Sequence, residues 1–453
     1  MLFSSGGLHG ASVRSEAVNC NDGADSQPAD FRYNRRPMHS AVPSAIAAGA
    51  PVTAAQRKTL LAAAMGWMLD SFDVMLYAIV LSDVMHDLHM TKGTAGLLNA
   101  LTLVASGLGG LMFGFLADRI GRTRALIFSI LTYSVCSFAS GLSTSIVMLA
   151  AFRFLLGLGM GGEWNTGATL VAETWPVERR SRAIALMQSS WAVGYAFAAV
   201  VAWLVLKYWD WRVVFFVGIL PALFTLWIRL DVPESALWLS HRAQPAAQKS
   251  AASLADVFRD YRRPTLALLM MNLFGMFAWW GLFTWLPGYL KLPLAQGGRG
   301  FASGTTTTML VVLNLVGMFP GYISFGWIAE RMGRRRGVIV FSILGALFVP
   351  LYALARDPRA LLLLGIPVAF FATGFFSGSG LIGSEIFPTA VRARALGLTY
   401  NGARMMSAAA PWTIGLVGER YGLSWAFVLC AIALLLVALS ATQLPETRGT
   451  VLD

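Results

Sequence analysis

The chain is short of charge. Only 13% of its 453 residues are charged against 56% hydrophobic, and the mean hydropathy is +0.62. A soluble protein of this size carries about a quarter charged residues, so an aqueous globular fold is excluded. There are five histidines and three cysteines. Cys136 and Cys430 sit in apolar runs, Cys20 lies far from both, and no spaced cluster exists. Neither a disulfide framework nor a metal site is implied. With no nucleophile motif either, an enzyme is not expected, and no cofactor is implied. Acidic residues are also in deficit, 23 against 35 Lys and Arg, for a formal net charge of +12. The location of that excess decides its meaning. The basic residues lie mainly in short loops between apolar runs, which fits an anionic membrane surface and not nucleic acid.

What the chain does have is a run of segments near the ~20 apolar residues that cross a bilayer. Twelve spans can be marked, at 60–82, 94–117, 125–143, 146–172, 183–206 and 211–230, then 264–290, 305–329, 337–355, 360–383, 395–417 and 424–443. Continuous apolar runs of this length require helices, because ten-residue alternating strands would be needed for a barrel. The loops on the side of Arg119 to Arg124, with their helix ends, carry 18 Lys and Arg, and the loops on the other side carry 8. The richer side is cytoplasmic. The expectation is an all-α membrane protein with twelve transmembrane helices and both termini cytoplasmic. Residues 1–57 are polar and lack the apolar core of a signal peptide. They are expected to form a disordered cytoplasmic tail, with Met38 as an alternative start. Residues 231–263 form a cytoplasmic central loop between halves at 58–230 and 264–443, and residues 444–453 a second tail.

The two halves repeat at an offset of 212 residues. Gly114-Phe-Leu-Ala-Asp118-Arg119-Ile-Gly121-Arg122 returns as Gly326-Trp-Ile-Ala-Glu330-Arg331-Met-Gly333-Arg334. Glu173-Thr-Trp-Pro176 with Arg180 and Arg182 returns as Glu385-Ile-Phe-Pro388 with Arg392 and Arg394, and Pro233-Glu234-Ser235 as Pro445-Glu446-Thr447. One shared offset means that a whole unit was duplicated. Parallel repeats in an apolar chain point to a transporter of two pseudo-symmetric six-helix halves around a central site.

The first of these motifs resembles the signature loop between spans two and three of the major facilitator superfamily. Arg153-Phe-Leu-Leu-Gly157-Leu-Gly159 in span four resembles that family's second motif, and the likeness covers roughly residues 58–449. Asp70-Ser-Phe-Asp73 is similar to the Asp-Gly-Phe-Asp of sialate and aromatic-acid proton symporters, with Ser71 in place of Gly. Gly161-Gly162-Glu163-Trp164, running on to Glu173-Thr-Trp175-Pro176, resembles the carboxylic-acid branch. Met271-Asn272 stands where a sugar porter carries Gln-Gln, and span five lacks the Gly-x-x-x-Gly-Pro of drug antiporters. The resemblance implies proton-coupled uptake of an organic acid anion, such as a monocarboxylate, sialate or aromatic acid, at the bacterial inner membrane. A proton-coupled sugar or polyol porter and a non-transporting nutrient sensor are the alternatives. The protein is expected to work as a monomer, with a small anion, protons and the bilayer as its partners.

Residues that obey the repeat and residues that break it read differently. Asp118, Arg119, Arg122, Glu173, Arg180, Glu330, Arg331, Arg334, Glu385 and Arg392 lie at cytoplasmic helix ends, where they suit topology or gating. Asp70, Asp73, Arg153 and Glu163 occur only in the first half, opposite Leu282, Trp285, Gly365 and Phe375. Arg404 occurs only in the second, opposite Ala192. A charge at membrane depth costs at least ~2.5–3.5 kcal/mol, so function is its default reading. Asp70 lies about 15 Å into span one, near the midplane. It shares a helix face with Asp73 and Tyr77.

Symport of an acid needs a buried carboxyl that can take up and release a proton, for which Asp70, Asp73 and Glu163 are candidates. It also needs a cation for the substrate carboxylate, for which Arg404 is the candidate. Asn401, Gln188, Trp191, Tyr77 and Arg153 are placed beside it as substrate-binding residues, although Arg153 also suits an internal ion pair between spans four and one. Trp279, Trp280 and Trp285 offer either a pocket wall or packing, and Asn272 and Asn314 either ligand contacts or helix–helix hydrogen bonds. If span one carries the proton, Asp70→Asn or Asp73→Asn abolishes gradient-driven accumulation in proteoliposomes and leaves counterflow intact. Normal accumulation in both variants would remove span one from the mechanism.

Overall fold

The computed structural model describes residues 52–235, 239, 257, 259–387 and 389–448. Most of the tail expected at 1–57, Met38, Cys20, much of the loop expected at 231–263 and the end of the tail at 444–453 lie outside the described residues. All described regular structure is helical. The first half comprises α1 (Ala54–Asp87), α2 (Lys92–Ile120), α3 (Arg122–Gly141), α4 (Ile146–Thr174), α5 (Val177–Leu206) and α6, which runs in two pieces, Trp211–Val217 and Leu220–Asp231. The second half comprises α7 (Arg262–Lys291), α8 (Ser303–Met332) and α9 (Arg334–Leu354), then α10 as Pro358–Gly374 and Phe376–Ile386, α11 as Thr389–Met406 and Ala409–Tyr421, and α12 (Leu423–Thr442). Ten of these are long and apolar enough to cross a membrane. The broken α6 and α11 complete the twelve.

Helix ends follow local chemistry. Helix α1 begins at Ala54, inside the segment expected to be tail. Thr53 and Gln56 explain the earlier start: the Thr53 hydroxyl accepts from the Gln56 N–H and the Gln56 side chain accepts from the Thr53 N–H. Such a reciprocal cap satisfies two donors that an uncapped end leaves orphaned. Three helix interruptions have a proline just beyond them. Pro221, Pro320 and Pro411 cannot donate to Val217, Val316 and Ser407 four residues back. The chain breaks at Gly218–Ile219, widens into a π-helical turn over Leu313–Met318, and breaks again between Met406 and Ala409.

The repeated motifs converge into one structural unit in each half. Gly121 and Gly333 have φ of 107° and 100°, a region that favours glycine, and each turns the chain sharply between two helices. The new helix starts without a side-chain cap of its own. A distant glutamate supplies it: the Arg122 N–H donates to Glu234 at 2.8 Å and the Arg334 N–H to Glu446 at 2.7 Å. A carboxylate at a helix N-terminus meets both free N–H groups and the positive end of the dipole. Arg122 then pairs with Asp118 at 2.6 Å and Glu173 at 3.1 Å, and Arg334 with Glu385 at 3.4 Å. The shared offset therefore preserves one three-part joint that ties helices two, three and four of each half together.

Within the first half α2 packs on α4, α3 on α4 and α1 on α5. Small residues set the spacing. A Cβ added at Gly161 would stand 1.8 Å from the Ser106 carbonyl oxygen, so the α2–α4 crossing requires glycine there. The halves meet through α2 with α11, α5 with α8 and α1 with α7. Gly161→Ala should cost about 1–3 kcal/mol of packing, read as a lower unfolding temperature in detergent. An unchanged temperature would show that the crossing relaxes freely.

Candidate functional site

The five buried charged side chains among the described residues are Asp70, Asp73, Arg153, Glu163 and Arg404. They are the same five that break the repeat. Asp70, Asp73, Arg153 and Glu163 have no exposure and Arg404 has 2%. An unpaired buried charge is costly, yet both oxygens of Asp70, both of Glu163, all three guanidinium nitrogens of Arg153 and one terminal nitrogen of Arg404 lack a hydrogen-bond partner. So strained an arrangement points to groups that receive partners during function.

The five divide into two groups. Helix α1 presents Asp70 one turn beyond Gly66, and the Glu163 carboxylate of α4 lies against that glycine. A Cβ at Gly66 would stand 2.4 Å from Glu163 Oε1. Asp70 and Glu163 interact electrostatically with each other and with Arg404 of α11. This group joins the halves. The second group, linked to the first by the Asp70–Asp73 interaction, is internal to the first half. Asp73 Oδ1 accepts from the Ser137 hydroxyl of α3 at 3.1 Å, and the break in α6 at Gly218 lies on the same two atoms. The Arg153 guanidinium lies over the Tyr77 ring at 4.5 Å, and the Tyr77 hydroxyl donates to the Ala95 carbonyl of α2 at 3.0 Å.

Beside the first group is a cavity of about 40 Å³, lined by Trp67, Gln188, Trp191, Met276, Trp279, Trp280, Tyr322, Phe376, Tyr400 and Arg404. These come from α1, α5, α7, α8, α10 and α11, so both halves build it. The volume suits a few waters at ~10–15 Å³ each. An organic substrate needs the halves to part. The wall is a web of indoles: Trp191 lies edge-on to Trp279 and Trp280 at 5.5 and 6.1 Å, and its ring is 4.6 Å from that of Trp67. The indole nitrogens of Trp67, Trp191 and Trp279 are buried without an acceptor. Indole N–H only donates, so the wall offers donors.

Of the residues placed from sequence at a substrate site, Arg404, Gln188 and Trp191 line this cavity, whereas Arg153, Tyr77 and Asn401 are not part of its wall. Trp279 and Trp280 belong to it. Trp285 instead donates to the Pro411 carbonyl at 2.8 Å, where α11 breaks. Asn272 joins α7 to α10 and α11 through Ser379 and the Thr399 carbonyl, and Asn314 donates to the Leu310 carbonyl of its own helix. The residues read as topological or gating charges lie at or near helix ends. Arg119 covers Phe115, Arg180 and Arg392 donate to the Trp175 and Phe387 carbonyls, and Glu330 and Arg331 are exposed.

Sequence reasoning missed two features. Trp67, Met276, Tyr322, Phe376 and Tyr400 read as ordinary span residues, because aromatic and Met side chains in apolar runs carry no signal of facing a cavity. The extracytoplasmic ends of the halves are also tied by residues that looked like loop charges. Lys291 pairs with Asp83 at 2.6 Å, Lys92 donates to the Gln296 carbonyl at 2.7 Å, and the Gly93 N–H donates to Glu419 at 3.2 Å. Deeper in, Asn99 donates to Thr284 at 2.9 Å.

Known proteins agree with this architecture. The model of the Major Facilitator Superfamily matches residues 63–299 and 293–450. The chain is 35% identical over 406 residues to a probable 4-methylmuconolactone transporter of Cupriavidus pinatubonensis, covering 88% of this chain and 92% of that one. It is 31% identical to the sialic acid transporter NanX of Escherichia coli, covering 86% and 95%. Among solved structures, a D-xylose-proton symporter superposes with a TM-score of 0.71 at 18% identity, over 88% of this chain and 100% of that one, a likeness of fold. A multi-pass chain of two repeated six-helix halves, with five charged side chains buried within its helices, belongs to the Major Facilitator Superfamily of secondary transporters.

Proposed function

We propose that the protein imports a small organic anion together with protons, and that the anion is a carboxylate with a flat, largely apolar body. The observation that carries this reading is Arg404: a permanent cation, 2% exposed, with a free terminal nitrogen, in a cavity walled by indoles. A guanidinium fork suits a carboxylate, and aromatic faces suit a planar body. A sialate or sugar would need acceptors for its many hydroxyls. The wall supplies mainly donors and apolar faces, which favours an aromatic or unsaturated monocarboxylate.

Charge balance supplies the coupling. Three buried carboxyls accompany two buried guanidiniums. One bound proton makes the set neutral, and a monoanion brought to Arg404 adds one negative charge. A second proton on a carboxyl restores the balance, and a low-dielectric interior favours that balance. Asp70 and Glu163, which share Arg404 as an electrostatic neighbour, are assigned this proton. Asp73 and Arg153 are assigned to the first half's internal joint, where Asp73 already holds Ser137. The extracytoplasmic ties at Asp83–Lys291 and Lys92 would release as the halves rock outward, and the joints around Arg122 and Arg334 keep each half rigid while they do.

Uptake of labelled benzoate, lactate, sialate and glucose into proteoliposomes under an imposed proton gradient tests the reading. Gradient-dependent uptake of benzoate is expected, and uptake of glucose alone would overturn it. Arg404→Gln should raise the half-saturating concentration of the transported acid about 10–100-fold, the value of a hydrogen bond to a charged group; an unchanged value would remove Arg404 from the anion site. Gly66→Ala should displace the Glu163 carboxylate, so that gradient-driven accumulation falls while counterflow persists. Accumulation at the normal level would separate Glu163 from the proton step.

A further inference from the structure

Trp164 stands just behind the cavity wall and touches both halves. Its indole nitrogen donates to Gln188 Oε1 at 3.0 Å. Its ring stacks on Tyr400 at 3.9 Å with planes 5° apart. Gln188 lines the cavity from α5. Tyr400 and Arg404 line it from α11, one helical turn apart. A chain of contacts thus runs from the buried cation, through the Tyr400–Trp164 stack, to the amide facing it from the other half.

The direction of the Trp164 hydrogen bond has a chemical consequence. An indole nitrogen can only donate, so its partner must be the amide oxygen. With that oxygen held by the indole, the amide nitrogen and its two protons are left as the donor group of Gln188. Gln188 lines the cavity and keeps 6% exposure there. A free glutamine amide rotates readily and would offer oxygen as often as nitrogen. An oxygen beside Arg404 would repel a carboxylate, whereas an N–H would bind it.

We propose that Trp164 is a positioning residue for anion recognition: it holds Gln188 so that the amide N–H2 and Arg404 form a two-donor clamp on the substrate carboxylate, one donor from each half. This rests on the reading that the Arg404 cavity takes the anion. The clamp explains why Gln188, at 6% exposure and one turn before the cavity's Trp191, is polar in a wall otherwise built mostly of rings. Trp164 thereby acts through Gln188 without itself lining the cavity.

The full chain in proteoliposomes tests this with labelled benzoate as probe. Trp164→Phe keeps a ring to stack on Tyr400 and removes only the N–H. It is expected to raise the half-saturating concentration about 3–10-fold while the maximal rate holds, and Gln188→Ala to raise it about 10-fold, as for a hydrogen bond to a charged group. The double variant should be no worse than Gln188→Ala alone, because residues acting through one contact are not additive. Gln188→Glu keeps an acceptor for Trp164 but replaces the amide donor with a carboxylate, and it should lose affinity more than Gln188→Ala. Additive losses, an unchanged half-saturating concentration in Trp164→Phe, or a loss confined to its maximal rate would each overturn the positioning role. The underlying reading fails separately, through an Arg404→Gln variant that binds the probe normally.

Discussion

The structure depends on charge held in a place where charge is expensive. Hydrocarbon offers no solvation, so a buried guanidinium needs a partner, and a buried carboxylate needs a partner or a proton. Asp70, Asp73, Glu163, Arg153 and Arg404 are all buried, and apart from the Ser137 hydroxyl on Asp73 their polar atoms have little direct company. The helices around them are arranged to make room for those groups. Gly66 admits the Glu163 carboxylate and Gly218, at the break in α6, admits Asp73. The result is a cluster that a proton or an anion can complete.

Around that cluster the molecule divides its labour by symmetry. The two copies of the joint, in which Glu234 and Glu446 cap the helices that begin at Arg122 and Arg334, tie neighbouring helices together within each half. The contacts between halves are of another kind. Asp83–Lys291 and the bonds of Lys92 and Gly93 join the extracytoplasmic ends, and aromatic edges meet at the centre. Such contacts can part and reform without disturbing either half, which is what alternating exposure of a fixed site demands.

Under the proposed function the aromatic chamber supplies selectivity: Arg404 offers a charge that any anion would find, and the buried indole N–H groups and faces favour a flat carboxylate over a polyhydroxylated one. The small volume of the cavity means that binding and the movement of the halves are linked, because a ring enters only as the walls separate.

The twelve spans, the duplicated scaffold and the five unpaired charges are all legible along the chain. Hydrophobic length, loop charge and a fixed 212-residue offset are all written along the chain, and a charge inside an apolar run stands out without any structure. Helix packing sets how the charges are arranged, with Asp70, Glu163 and Arg404 near one another and Asp73 and Arg153 deeper in the first half. It alone brought Trp67, Trp164, Tyr322 and Tyr400 to the site and tied Lys291 to Asp83. The physical reason is that a charge is improbable in lipid wherever it points, whereas an aromatic ring is at home on every face of a membrane helix. Which face it uses is set by how the helices pack.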